Sequence, residues 1–529
     1  MALYSGKKIF LLLLCISMLG CGGGNSEQSA PGTSQPTSPP PPTDPTQPEN
    51  PDAYGSEPII FWPKPAYAHP DIPFDFTMIA ADMENNTIIY QLKNAPSDMS
   101  IDSQGKISWP AQYQTKNVDF SVLVDDGRQQ PIEIPVHLSV DSSQFLFVSP
   151  TGDDTNDGSI NTPFKRIDKG LKALAEKGYG HLMIRGGTYQ ETWNWEVNGV
   201  RAPTFGAAGS ADKPYIVSSF PGEMAILDTA GGHGYWSYNA SFWLYKDLEI
   251  KNAGIGERGG MMVTHTSNAA QNITVRDSNW SRSENCTGFY LNGSQAICHR
   301  CKAFNNYDRN SDHWNSSNYL VYTSGQSSDA YILDSYSEGS ISGYKIKHSG
   351  PGKLLIHNSK DVGSHIGFGG MDDDSSITFN TFVNNKTALL LGITDPHPPY
   401  TQGNIRVAHN TVVEPADVGI EIQTSYGAEK KVFIENNVFQ SAAGFSNQAN
   451  SPLAIRVWEY TNSTNLNEEF VQSKNNCWIS SSNDIAFKWG NEEAYDFASW
   501  QHMGKDTQSL WTDVLLDENY RITNQSPCY

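Results

Sequence analysis

Basic residues are scarce in this chain: Lys and Arg number 36 against 57 Asp and Glu, a formal net charge of −21. Nucleic-acid binders work by setting cations against phosphate, so nucleic acid is excluded as a partner. Cysteine is sparse too, seven in 529 residues. No second Cys or His pair stands at zinc spacing beside Cys298-x-x-Cys301, which is therefore read as structural. The apolar run Ile9 to Leu14, behind Lys7 and Lys8, is too short to span a membrane and reads as an export signal.

What the chain does have is repetition. I-L-D-S at 332–335, I-H-N-S at 356–359, F-N-T at 379–381, A-H-N-T at 408–411 and E-N-N-V at 435–438 place polar marks at Asp334, Asn358, Asn380, Asn410 and Asn437, in steps of 24, 22, 30 and 27 residues. Alternating apolar residues such as Ile405 and Val407 precede the marks, with no helix signal between them. That pattern predicts a coil of short parallel strands whose turns bury one another's apolar faces. An Asn at the same corner of each turn can bond the amide of its neighbour and accept the left-handed backbone of a tight corner, so the marks are read as structural. V-R-D-S at 275–278, K-D-L-E-I at 246–250 and the strand in HLMIRGGTYQE at 181–191 extend the coil backward.

Ahead of that strand, Thr162 as N-cap, Pro163 at the first helical position, the stripe Ile167, Leu171 and Leu174, and Gly178 as terminator predict a helix that plugs the open end of the coil. From 57 to 142 the pattern changes to alternating strands (FDFTMIA, TIIYQL, FSVLV, IEIPVHLSV) with turns at Ser103-Gln104-Gly105 and Asp126-Gly127, the pattern of a small immunoglobulin-like β-sandwich that serves as a spacer. Residues 22–56 are Pro, Ser, Thr, Gln and Gly with little to bury and form a disordered linker. Met18-Leu19-Gly20-Cys21 resembles a bacterial lipoprotein box, which implies a signal peptide over 1–21, lipidation of Cys21, and an anchor at the outer membrane, on the cell surface or in the periplasm.

The segment FVSPTGDDTNDGSINTPFKRIDKGLKAL, then IRGGTYQE, the Asn-marked turns and the closing NQSPCY resemble the right-handed parallel β-helix proteins of bacterial polysaccharide breakdown over residues 144–529. The expected fold is therefore all-β: a right-handed parallel β-helix with an N-terminal capping helix, preceded by the sandwich. This fold hosts several activities, so function has to come from a site.

One part of the coil concentrates chemistry. In SGYKIKHSG, Tyr344 and Ile346 should point inward, which puts Lys345 and Lys347 on one outer face, where two close ammonium groups lower each other's proton affinity. Shortly before it, CKAFNNYDRNSDHWN supplies Asp308, Asp312 and Asn315 as oxygen donors suited to calcium, and Arg309 and His313 as carboxylate partners. The pairing of these segments resembles the calcium-dependent pectate lyases of polysaccharide lyase family nine. That resemblance implies calcium as cofactor, an anionic polysaccharide as partner, and Lys345 at the base position, although either lysine fits the residue chemistry.

The implied reaction is β-elimination: with the uronate carboxylate neutralised, a base removes the C5 proton as the C4 oxygen leaves. Trp314, Tyr319 and Tyr290 are candidates for stacking on sugar rings. Two other readings stand beside this one. Asp372, Asp373 and Asp374, with Glu421 as companion, offer the paired carboxylates of a glycoside hydrolase; a non-catalytic glycan binder would need neither set. The chain is expected to act as a monomer. In an exported protein Cys477 and Cys528 are a candidate disulfide, and Cys286, Cys298 and Cys301 could supply one further pair.

Overall fold

The structure is a computed structural model; it describes residues 56–62, 64–193, 206–236, 240–254, 260–264, 267–278, 287–307, 316–322, 329–347, 353–370, 375–392, 404–424, 431–446, 451–459, 468–480, 486–490, 493–513, 516–518, 520 and 528. The signal sequence, Cys21 and nearly all of the linker lie outside these residues.

Three long sheets make the coil. Sheet A has 12 strands from Phe145–Val148 to Val471–Lys474, sheet B has 12 from Gly187–Gln190 to Leu510–Thr512, and sheet C has 11 from Tyr235–Trp236 to Glu493–Tyr495. Each turn runs A, B, C, and every pairing within the three sheets is parallel except the last in sheet C, where Phe487–Trp489 meets Glu493–Tyr495. The fold is the right-handed parallel β-helix the repeats predict. One continuous core fills it, including Phe289, Tyr319, Tyr344, Phe368, Ile420 and Ile455.

The corner between sheets A and B corrects the expected ladder, because its two duties fall to adjacent columns. Asp334 and Asn358 stand in the left-handed column, at φ of 50° and 48°, together with Asn272, Phe379, His409, Asn436 and Asn475. Asn380, Asn410 and Asn437 stand one position later, fully buried. The Asn410 Oδ1 accepts from the Asn380 backbone N–H and Nδ2, both at 3.0 Å, and Asn437 does the same for Asn410 at 2.9 and 3.0 Å. The ladder continues through Asn476 to Ser509, and runs backward through Ser359 and Ser335. A left-handed corner residue carries its side chain to the outside, so the interior bonding passes to the next residue.

The helix spans Ile167–Lys177, five residues later than the expected cap. Phe164 instead pairs with the first strand of sheet A, its N–H donating to the Phe147 carbonyl at 2.9 Å, and the Thr162 hydroxyl is drawn to Asp157. The free N–H groups of Ile167 and Asp168 are capped from afar by the buried carboxylate of Glu191, at 2.5 and 3.0 Å. Gly178 ends the helix at φ 92°, and Ile167, Leu171 and Leu174 are fully buried against the coil end as expected.

Residues 56–140 form four-, three- and two-stranded sheets, with left-handed Gly105 and Gly127 in the expected turns. Their core is not their own. Phe76, Ile107, Val122 and Leu138 pack in one cluster with Phe147, Met183, Ile216, Leu244, Ile297 and Leu355 of sheet A. Sheet A is thus buried on both faces from Phe145–Val148 to Leu354–His357, and the module is a cover on that part of the β-helix; beyond it, Gln472 and Lys474 are exposed. Cys477 and Cys528 are bonded, with Cα atoms 5.8 Å apart. Cys298 and Cys301 are free thiols buried in the core, so the further pair between them does not form; Cys286 lies outside the described residues.

Candidate active site

With sheet A covered from Phe145–Val148 to Leu354–His357, the sequence candidates gather on sheet C. Register fixes which of its residues face outward. Phe289, Tyr319, Tyr344, Phe368 and Leu389 are aligned neighbours on successive strands and all lie in the core. The next position on each strand faces the other way, giving an outer row of Tyr290, Leu320, Lys345, Gly369, Leu390, Glu421, Arg456 and Lys488. Neighbours in such a row are about 4.8 Å apart.

Lys345 is in this outer row as expected, yet only 5% exposed. The lysine is thus outward without being solvated, sitting among neighbours. On one side lies an outward apolar cluster of Tyr290 and Leu320 with Tyr322, the two tyrosine rings stacked at 5.7 Å. On the other side lies Gly369, buried, where among the described residues an added Cβ would meet only the Ile366 Cγ2, at 3.1 Å. The row therefore carries no side chain at the position directly beside the lysine, and Leu390 follows it.

Tyr290 is outward but only 5% exposed, packed with Leu320 and Tyr322. Tyr319 is not outward. Its ring is fully buried, stacked between Phe289 at 4.9 Å and Tyr344 at 5.0 Å, and its hydroxyl donates to the Tyr336 carbonyl at 3.0 Å. The error is one of phase: Tyr319 and Tyr344 share a register position, and Tyr344 was correctly placed inside. Lys347 pairs with Tyr322 through the backbone, and its side chain lies outside what is described. Asp308, Arg309, Asp312, His313, Trp314 and Asn315, between Tyr307 and Ser316 in the chain, lie outside the described residues, as do Asp372, Asp373 and Asp374. Among the described residues no three His, Cys, Asp or Glu side chains come together to hold a metal.

Glu421 is taken up by ion pairing. Arg456 Nε lies 3.2 Å from its Oε2, with Nη2 also in contact; Gln423 Nε2 donates to its Oε1 at 2.8 Å, and Asp417 lies 3.1 Å from Arg456. Burial opposes the charge on Arg456, but Glu421 and Asp417 more than offset it and hold its pKa above the ordinary value. A carboxylate held by Arg456 and Gln423 is engaged within the protein rather than set across a scissile bond, as the hydrolase reading requires.

Sequence reasoning missed what lies beneath the lysine strand. Asp361, on sheet B, is fully buried. Ser364 Oγ donates to its Oδ1 at 2.8 Å and Asn385 Nδ2 to its Oδ2 at 2.6 Å. Burial pushes its carboxyl up to about 7, against the Ser337, Asn385 and Ser364 bonds that favour the charged form. Its Oδ1 would lie 2.1 Å from a Cβ at Gly343, two residues before Lys345. Nothing in K-D-V-G distinguishes an inward Asp from a turn residue; only the absent side chain at Gly343 hints at the close approach.

The β-helix fold agrees with the comparison to known families, in which residues 146–381 match the description "Pel9A-like, right handed beta helix region". That stretch is similar to the β-helix region of such proteins. This region contains the lysine strand and both acidic segments but not Glu421. Among curated proteins, Pectate lyase PEL9 of Emericella nidulans is 28% identical over 167 residues, which is 28% of this chain and 36% of the relative; the chain thus spans about a third of that protein's length. Among solved structures, pectate lyase Pel9A matches with a TM-score of 0.42 at 17% identity, over 64% of this chain and 80% of that one. A rhamnogalacturonan lyase matches with a TM-score of 0.36 at 16% identity, over 56% and 87%.

Proposed function

We propose that the protein is a polysaccharide lyase that cleaves a uronic-acid-containing glycan by β-elimination, with Lys345 as the base. The observation that carries this reading is Lys345 itself: within the region that matches the Pel9A-like family it points out of sheet C, is largely shielded from water, and stands next to Gly369, the position of the row without a side chain. A uronate bound over Gly369 would set its C5 proton toward the amine. The neutral amine takes that proton, the electron pair of the C–H bond forms the C4–C5 double bond, and the C4–O bond breaks with the leaving chain's oxygen taking the electrons. The proposal gives Tyr290, in the outer row on the far side of Leu320, the role of stacking on a neighbouring sugar.

The same proposal gives Asp308, Asp312 and Asn315 the role of calcium ligands, with Arg309 and His313 beside the uronate carboxylate; calcium would supply the positive charge that makes the C5 proton acidic. It also places the protein, lipidated at Cys21, on an exported surface where polymeric glycans are met.

The test is ultraviolet absorbance of unsaturated uronate when the protein is mixed with pectate, alginate and glucuronate-containing polymers, with and without a chelator. The expected result is product from one polymer, and a drop on the order of a thousandfold in Lys345→Ala. New reducing ends without absorbance would refute the lyase reading in favour of hydrolysis, and full activity in Lys345→Ala would remove the lysine from the mechanism.

A further inference from the structure

Between the N-terminal module and the A–B corner of the β-helix lies a cavity of about 680 Å³, on a different face from sheet C. That volume is in the range of small-ligand sites. Two of its lining groups are buried without partners. Asp82 is 2% exposed; its Oδ1 accepts from the backbone N–H groups of Glu84 at 3.0 Å and Asn86 at 2.7 Å, while its Oδ2 has no hydrogen-bond partner among the described residues. The Asn86 Nδ2 is likewise buried and unpartnered. Leaving such groups unsatisfied is unfavourable, so the site is built for something that bonds them.

The chemistry of the lining says what. The lining offers one orphaned acceptor, the Asp82 Oδ2, and one orphaned donor, the Asn86 Nδ2, and a sugar hydroxyl can serve either because it both donates and accepts. Tyr90 and Tyr336 present rings to the same space, the kind of surface on which sugar faces rest. Arg300 is held by the Gln104 Oε1 at 2.8 Å and lies 3.9 Å from Asp334, another lining residue, whereas Lys302 is exposed with no ion partner among the described residues. Lys302 is therefore the cation available to a sugar carboxylate.

We infer that this seam cavity is a second, non-catalytic binding site for a uronic-acid oligosaccharide. The identity of the sugar rests on the proposed substrate; the site itself rests on the orphaned pair and the cavity. The N-terminal module then holds glycan jointly with the β-helix, half of the site coming from each.

The test is titration calorimetry of the full chain carrying Lys345→Ala with trigalacturonate and with guluronate and glucuronate-containing oligomers of equal length. Binding of one of them is expected, weakened roughly tenfold or more by Asp82→Ala with Lys302→Ala. Asp82→Asn, which keeps the side chain's shape, should also weaken it, with melting temperatures checked for each variant. Absence of binding in the Lys345→Ala chain, or binding indifferent to Asp82 and Lys302, would overturn the inference and leave the orphaned atoms to water. Seam binding without unsaturated product from any polymer would sink the lyase reading alone, and product formation without seam binding would sink the seam site alone.

Discussion

Replacing Gly343 with Ala tests whether the strand bearing Lys345 is held in place from below. A Cβ there would lie 2.1 Å from the Asp361 Oδ1 and 2.7 Å from the Gly367 carbonyl oxygen, where carbon and oxygen normally approach to about 3.3 Å. Asp361 cannot retreat, since it is fully buried and gripped by Ser364 and Asn385. The strand must therefore rise by about 1 Å. Lys345 rises with it, and a displacement of that size at a reacting group lowers the rate about a hundredfold. The stability loss should be about 1–3 kcal/mol, as for other overpacked sites. Gly419→Ala is the control: it occupies the same register position three strands away, its Cβ would lie 2.8 Å from the Ala454 carbonyl oxygen, and it should cost similar stability with little loss of rate. Initial rates of unsaturated-uronate formation, taken well below each variant's melting point, decide the matter. Equal rates for Gly343→Ala and Gly419→Ala would show either that the strand is not pinned or that its lysine does no chemistry.

The buried Asp361 should make stability pH-dependent in an unusual direction. Its carboxyl keeps a proton up to about 7 in the folded chain but releases it near 3.8 when unfolded, so stability should fall as pH rises between those values, by on the order of 4 kcal/mol; urea midpoints of the wild type should show this slope and those of Asp361→Asn should lack it. At the A–B corner, Asn410→Ala strands the Asn380 N–H and removes one bond each from the Asn380 Nδ2, the Ile377 carbonyl and the Asn437 Oδ1, which predicts a loss of about 3 kcal/mol. Asn358→Ala, at an exposed left-handed position, should cost only about 1 kcal/mol, and equal losses by denaturant titration would contradict the two-column ladder.

The sequence made the β-helix legible because each turn repeats the same need: an apolar strand, then a tight corner. It could not say which of two adjacent polar residues does which job, since D-S, N-S and H-N-T spell one corner with different letters. Ser335 and Ser359 occupy the ladder that Asn380 continues, and periodicity alone puts the mark on Asp334 and Asn358 instead. Outward placement of Lys345 followed from alternation around Tyr344 and Ile346; the same alternation, carried one strand back, would have put Tyr319 inside. The helix start was missed because Phe164 is claimed by a strand partner far away in sequence. Asp361 and the seam were illegible for the same reason, since both are made of residues brought together across turns or modules.

The placement of the site follows from which faces the rest of the chain covers. The N-terminal module lies on sheet A, filling the space over Ile216, Leu244 and Ile297. On sheet B, Leu516 and Cys528 pack over Val438, Cys477 and Ile479, and the disulfide fastens Cys528 there. Farther along the same sheet, Lys360 Nζ sits 5.2 Å from the centre of the Tyr520 ring. Among the described residues neither module nor tail lies on sheet C, where the outer row passes from apolar residues to Lys345, Gly369 and the Glu421–Arg456 pair. A coil of this kind turns one face of all three sheets into its core, so polar chemistry has to be carried by an outward row, and among the described residues the row that combines a buried lysine with a position lacking a side chain is on sheet C. That asymmetry is independent of any particular substrate, and it predicts that substitutions lowering activity without lowering stability will map to the outer row of sheet C rather than to either covered face.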